Sequence, residues 1–408
     1  MKPLGPIPEH FSAREEQLLL GGETAAHWIS EAGDTPLFVY SSTIIGRKVT
    51  DFRSAMPGRL KLNYAIKANP FAPVLSLMKG LVDGFDIASG GELELVRAAG
   101  IECDRVSFAG PGKRDDELRK ALQAGVVLNC ESESEARRTI ALAEQLGETP
   151  RIAIRVNPDF ELRGSGMKMG GGAKQFGVDV ERVVPMAKLL FEAGCDFRGF
   201  HIFTGSQSLD GEAIIETQAN VLVLAEGLAR DIGRPIASLN IGGGFGIPYF
   251  HGDTALDLRP IGEALEACFD ELSENLRDTE IHSELGRYLV GEAGVYLTRI
   301  IDRKESHGEI FLITDGGLHH QLAASGNFGT VVRRNYPVAI ANRFSTEPTE
   351  VVSVVGCLCT PLDRLADKAL LPRAEVGDIA AVFCAGAYGA TASPAQFLGH
   401  GPATEMLV

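Results

Sequence analysis

Leu62-Asn63-Tyr64-Ala65-Ile66-Lys67-Ala68-Asn69-Pro70 opens as a short apolar run and closes on a lysine, an asparagine and a proline. Leu62–Ile66 has the length and bounding residues of a buried strand. The same texture recurs on both sides of it. Strands are predicted at Leu62–Ile66, Gly84–Ala88, Arg105–Phe108, Val126–Asn129, Ile152–Val156, Arg198–Phe203, Ser238–Ile241 and Ile281–Leu285. Helix-like stretches lie between them: Gly91–Ala99, Asp115–Ala124, Glu133–Leu146, Val180–Ala193, Glu212–Ile232 and Leu258–Leu276. Eight βα units predict an α/β fold, a (β/α)8 TIM barrel; a doubly wound sheet is the other arrangement that counting permits. An earlier run, Leu37–Tyr40, precedes another helix-like stretch. The barrel is therefore expected to span 36–280, with 1–35 and 281–408 forming a β-rich domain of short strands separated by Gly, Pro and Asn.

Polar or glycine-rich residues recur just past the strand ends. They are Lys67, Asp86, Asn129 with Glu131, Asn157, Ser206, Gly242–Gly244, and Glu284 with Arg287. In a barrel all of them fall on the C-terminal rim, where active sites form. Arg163–Lys174, rich in glycine, reads as a mobile loop after the fifth strand.

The bulk numbers narrow the function. The chain has 408 residues and a net charge of −15, which argues against general nucleic-acid binding. Seven cysteines, an odd number, sit mostly in apolar stretches (Cys130, Cys195, Cys268, Cys384), so no disulfide framework is expected and a reducing compartment is. Cys357 and Cys359 lack partners at zinc spacing, and no metal site is expected from the sequence. The N-terminal residues lack a signal-peptide core, and no apolar run reaches the ~18 residues of a membrane span. A cytoplasmic protein with no membrane partner is expected.

Three segments carry chemistry. Lys67 ends an apolar strand, so it is either a lysine that snorkels to solvent or an amine held in the barrel mouth for attack on an aldehyde. Gly242-Gly243-Gly244-Phe245-Gly246 would let backbone N–H groups approach a phosphate, as glycine turns after the seventh and eighth strands of barrels do. Glu284-Leu285-Gly286-Arg287 sets a carboxylate and a guanidinium on one short turn, for a polar ligand or as a structural pair.

Taken in order, YAIKANP (64–70), FDIASGGE (85–92), RVNP (155–158), QFG (175–177), TGSQ (204–207), NIGGGFG (240–246), ELGR (284–287), CTPLD (359–363) and GAYG (386–389) span nearly the whole chain. With these motifs the sequence resembles the fold-type III pyridoxal-5′-phosphate (PLP) decarboxylases, which include diaminopimelate, ornithine and arginine decarboxylases. The resemblance implies an alanine racemase-like barrel with a C-terminal β domain and PLP as a Schiff base on Lys67. It implies that Glu284 pairs with the pyridine nitrogen and that Ser206, Gly243, Gly244, Arg287 and Tyr388 hold the phosphate, with Gly286 in the same cofactor-binding set. Asp86 and Glu92 would support the lysine. Cys359 would protonate the carbanion across the interface of a homodimer.

Three departures from the family bear on substrate. Phe203 stands where the family has a histidine stacked on the cofactor ring, with His201 two residues earlier on the same expected strand face. Thr360 stands where relatives carry an acidic residue after the catalytic cysteine. Ala323 and Asn327 replace the arginine and tyrosine of the distal carboxylate clamp. Substrate contacts are expected from Arg287, His320, Thr360, Asp363 and Tyr388. The chain resembles a divergent branch that includes exosortase-associated decarboxylases and enzymes acting on carrier-bound or conjugated amino acids. Free diaminopimelate, ornithine and lysine are expected to be poor substrates. The competing readings are an amino-acid racemase on the same barrel and a non-catalytic PLP-binding protein.

Overall fold

The computed structural model describes residues 1–326 and 333–408, in two compact units. One unit comprises Val49–Gly246 and Leu256–Gly286; the other comprises Met1–Lys48, Ile247–Ala255 and Arg287–Val408.

The first unit is a closed parallel barrel. Its strands are β1 (Lys61–Ala65), β2 (Gly84–Ile87), β3 (Val106–Phe108), β4 (Val127–Cys130), β5 (Arg151–Asn157), β6 (Asp196–His201), β7 (Ser238–Asn240) and β8 (Glu280–Leu285). Each pairs in parallel with the next, and β8 returns to β1 through His282↔Lys61 to Leu285↔Tyr64. A closed sheet with helices outside buries both strand faces, which is why the strands read as apolar runs without alternation. Tyr64, Phe85, Phe108, Leu128, Ile152, Leu239 and Ile281 are fully or almost fully buried.

The helices are set by local chemistry. Ser132 caps Glu133–Leu146 by accepting from the Glu135 N–H, and Gly147 ends it at a φ of 69°. Asp210 and Gly233 do the same for Gly211–Ile232. The sequence places these boundaries within a residue because the caps are explicit in it.

The second unit is a β-sheet in the order Val338–Ile340, Ile379–Val382, Gly294–Ser306, Glu309–Thr314, Glu350–Val355, Arg364–Leu371. Leu37–Tyr40 pairs antiparallel with Gly294–Leu297 and parallel with Thr404–Leu407. Its core joins Leu18, Leu37, Val39, Val295, Leu297, Ala381 and Phe383.

Two expectations change here. Leu37–Tyr40 lies in the β unit, and Ile281–Leu285 lies in the barrel, so the bounds 36–280 and 281–408 are displaced at both ends. An isolated apolar tetrapeptide does not say which sheet it joins. Within the loop after β5, Met167–Lys168 pairs antiparallel with Gly205–Ser206. Among the described residues no helix is long and apolar enough to cross a membrane.

Candidate active site

In the barrel unit, chemistry gathers at the C-terminal ends of the strands. Lys67 follows β1 in a single 3-10 turn, and its Nζ stands 3.7 Å from Glu284 Oε1 at the end of β8. The Phe203 ring, past the end of β6, lies 5.5 Å from the same nitrogen. His201 Nε2 is 3.0 Å from Glu284 Oε2, and both groups are buried.

Burial alone would raise the Glu284 pKa, but the Lys67 ammonium, the His201 hydrogen bond and Arg155 outweigh it and hold the carboxyl well below the ordinary range. Burial lowers the His201 pKa, so its imidazole is neutral. A neutral imidazole facing an ionised carboxylate must donate through Nε2–H, which leaves Nδ1 as the buried, unpartnered atom. Asp86, on β2, behaves in the opposite sense. Burial and the nearby Glu284 charge push its carboxyl well up, and neither of its oxygens has a full hydrogen bond. Two neighbouring carboxyls shifted in opposite directions divide the acceptor role from the more readily protonated one on the same rim.

Glu92 lies in the first turn of the helix Gly90–Ala98, which Ser89 caps by accepting from the Glu92 N–H. Glu92 Oε2 accepts from Ala88 N–H at 2.6 Å, and burial raises its pKa against the pull of that amide and of Lys67. Arg155, on β5, pairs with Glu131 at 2.8 Å, and Glu131 also accepts from Gly110 and Gly177 N–H. Arg155 thereby brings positive charge toward Glu284. An arginine inside Ile152-Ala-Ile-Arg-Val was the available sequence signal for it, and it was not read as a site residue.

The glycine turn after β7 is built for close approach. A Cβ on Gly243 would stand 2.0 Å from the Glu284 carbonyl, and Gly244 has a φ of 86°. Gly286 packs against Ala68, where a Cβ would meet Ala68 Cβ at 2.9 Å. Ser206 ends the short strand Gly205–Ser206. A cavity of about 320 Å³ lies at the opposite, N-terminal ends of the strands, lined by Asn63, Ser107, Asn129, Asn240 and His282. That face of a barrel carries stability, and the strand-end groups above carry the chemistry.

In the β unit, Arg287 Nη1 donates to Tyr249 Oη at 2.8 Å, and its guanidinium lies 4.7 Å from the Tyr388 ring centroid. Its Nε is buried without a partner. An unused donor on a fixed guanidinium suits an anion. Tyr388 has a φ of 57°, a left-handed conformation that is uncommon for a tyrosine.

A family model of the pyridoxal-dependent decarboxylase, pyridoxal binding domain, matches residues 42–291. The chain belongs to the pyridoxal-dependent decarboxylases. Over 386 residues it is 36% identical to the L-glutamyl-[BtrI acyl-carrier protein] decarboxylase of Niallia circulans, covering 92% of this chain and 89% of the relative. It is 32% identical to a diaminopimelate decarboxylase of Archaeoglobus fulgidus over 98% of this chain and 93% of the relative. The crystal structure of diaminopimelate decarboxylase from M. jannaschii in complex with L-lysine superposes with a TM-score of 0.87 at 26% identity, covering 98% of this chain and 92% of that one.

The cofactor of this decarboxylase is PLP, and the residues present fit it. Within the barrel unit, the glycine cradle at 243–244 suits a phosphate and the ionised Glu284 is an acceptor for a pyridine nitrogen; within the β unit, the orphaned Arg287 Nε is a donor for an anion. In the barrel unit the structure brings together Lys67, Asp86, Glu92, His201, Phe203 and Glu284; in the β unit it brings together Arg287 and Tyr388. The decarboxylase's segment after Cys359 departs from expectation. Cys359 itself is exposed. Asp363, expected to touch substrate, is buried and accepts from Leu318 N–H at 2.7 Å and Leu358 N–H at 2.9 Å. His320, also expected to touch substrate, is buried with Nδ1 3.0 Å from Tyr296 Oη and Nε2 3.0 Å from the Gly401 carbonyl. Both have their polar atoms engaged by the protein, Asp363 by two backbone amides and His320 by the Tyr296 hydroxyl and the Gly401 carbonyl. His201 is engaged by Glu284, while the Phe203 ring lies beside Lys67 Nζ. Thr360 Oγ1 accepts from Leu362 N–H at 3.3 Å. The expectation for Asn327 lies outside the described residues.

Proposed function

We propose that this decarboxylase acts on an amino acid attached to a larger carrier or conjugating group, and poorly on free diaminopimelate, ornithine or lysine. One observation carries the reading. The segment after Cys359 presents a threonine where a distal ammonium needs a carboxylate, and its one acid, Asp363, has both oxygens on backbone amides. A substrate with a charged distal amine would leave that charge unpaired, which costs selectivity of about 100-fold or more. Ala323, Ala324, Ser325 and Gly326 are small, so they leave room for bulk in place of a clamp. A relative that acts on a carrier-bound glutamyl group, at 36% identity, supports the same direction.

Within this reading Lys67 is the attachment point for the cofactor. Ser206, Gly243, Gly244, Gly286, Arg287 and Tyr388 hold the phosphate. Bound there, PLP supplies the electron sink for the pair released when the bond from Cα to the carboxylate breaks. Glu284, kept ionised by its neighbours and oriented by His201, offers the acceptor for the pyridine nitrogen. Phe203 covers the ring with an apolar face. Cys359, exposed on the single chain, delivers its proton to Cα in the partner subunit of a cytoplasmic homodimer.

The test is CO2 release from free diaminopimelate, ornithine, lysine and glutamate against glutamate thioesterified to a phosphopantetheinyl group, with Cys359→Ala as control. The expected result is turnover of the conjugate at least about 100-fold above each free acid. A free diamino acid processed as fast as the conjugate overturns the proposal.

A further inference from the structure

Three side chains that are dozens of residues apart in sequence meet in the β unit. His319, Cys357 and His400 each bring a ligand atom within 4.8 Å of the other two. Cys357 Sγ and His400 Nε2 are 3.8 Å apart, and the His319 and His400 ring centroids are 4.8 Å apart. His319 is fully buried, and neither of its ring nitrogens has a hydrogen-bond partner. Native structures rarely leave such a group unsatisfied without a further ligand. The contrast with the next residue is direct, since His320 spends both nitrogens on protein partners.

We propose that His319, Cys357 and His400 form a binding site for a thiophilic divalent transition metal, Zn2+, with an open fourth position. The donor set is one thiolate and two imidazoles, which favours zinc over magnesium or calcium. Tetrahedral zinc with bonds of about 2.3 Å to sulfur and 2.0 Å to nitrogen places those two atoms roughly 3.5 Å apart. The observed 3.8 Å is close to that value. The three ligands come from the turn after Glu309–Thr314, the turn after Glu350–Val355 and the segment following Phe397–Gly399. Zinc would therefore clip the His400 segment to the turn that carries Cys359, two residues beyond Cys357. Three protein ligands leave the fourth position to water. The sequence hides the site because its residues fit no short zinc spacing; only the fold collects them.

The test measures Zn2+ binding by the full-length PLP-loaded protein, using equilibrium dialysis against a chromophoric chelator with metal analysis. The variants are Cys357→Ser, His400→Ala, His319→Gln and Cys359→Ala. The expected result is one Zn2+ per chain in the unmodified protein and in Cys359→Ala. Affinity should fall more than about 100-fold in Cys357→Ser and His400→Ala, beyond the loss typical of an outer partner. His400 is exposed, so its variant keeps the test valid if the buried His319→Gln misfolds. Co2+ provides a second readout: tetrahedral visible absorption in the unmodified protein, absent in Cys357→Ser. Equal Zn2+ retention by the unmodified protein and His400→Ala overturns the proposal, as does loss in Cys359→Ala alone.

Discussion

Replacing Arg287 by lysine tests the anion-binding half of the site without any knowledge of substrate. The guanidinium serves three surfaces at once. Nη1 donates to Tyr249 Oη at 2.8 Å, the plane lies 4.7 Å from the Tyr388 ring, and the buried Nε remains for a further acceptor. A lysine ammonium has its three donors on one atom and cannot occupy these places together. Loss of one charge-assisted hydrogen bond to the phosphate costs about 1.5–3 kcal/mol. That corresponds to a PLP dissociation constant raised by about 10- to 150-fold. The assay is equilibrium dialysis of PLP and of pyridoxal against apoprotein. Pyridoxal lacks the phosphate, so its affinity should change less than about threefold. If both ligands weaken equally, or PLP binding stays within about threefold of the unmodified protein, Arg287 is not the phosphate's partner.

Three further outcomes follow from the same geometry. His201→Phe removes the donor that helps keep Glu284 ionised. Because the Glu284 pKa is depressed in the folded state, its contribution persists above the ordinary carboxylate range and is lost as pH falls through the depressed value. In the variant, the loss of PLP affinity on acidification should begin about one to two pH units higher, read from dialysis at a series of pH values; an unmoved acid limb contradicts the assignment. Gly243→Ala sets a Cβ 2.0 Å from the Glu284 carbonyl, and the overpacking should cost about 1–3 kcal/mol of stability in denaturant titrations and weaken PLP binding. Asp363→Asn keeps one acceptor and turns a donor toward a backbone N–H, so unfolding should become easier by about 1–3 kcal/mol, while unchanged stability would free Asp363 for a substrate role.

Much of the barrel was legible because its signals are local. Apolar runs without alternation, serine and aspartate caps, and glycine stops each fix an element within a few neighbours, as at Ser132 and Gly147. Lys67, Glu284 and Arg287 were legible because strand ends and ordered motifs mark them. What escaped was what depends on distant partners. Leu37–Tyr40 looks like any buried strand, yet its pairing is decided by Gly294–Leu297 and Thr404–Leu407. Asp363 and His320 sit in the right segments for substrate contact, but the Leu318 and Leu358 amides engage the first, and the Tyr296 hydroxyl and the Gly401 carbonyl engage the second. His319, Cys357 and His400 share no sequence spacing at all. Arg155 was overlooked because an arginine in an apolar strand carries meaning only once Glu131 and Glu284 are placed beside it.

The pairing of Leu37–Tyr40 with Thr404–Leu407 also sets a timetable for synthesis. A ribosome adding roughly 5–20 residues per second makes the second strand about 20–70 s after the first. The barrel's own strands all emerge within that interval and need no later segment to close their ring. The Leu37–Tyr40 edge, fully apolar apart from its tyrosine hydroxyl, must wait unpaired for its neighbours. A chain stalled before Thr404 therefore carries every strand of the barrel but lacks this parallel pair, so the interruption falls on the β unit and not on the barrel.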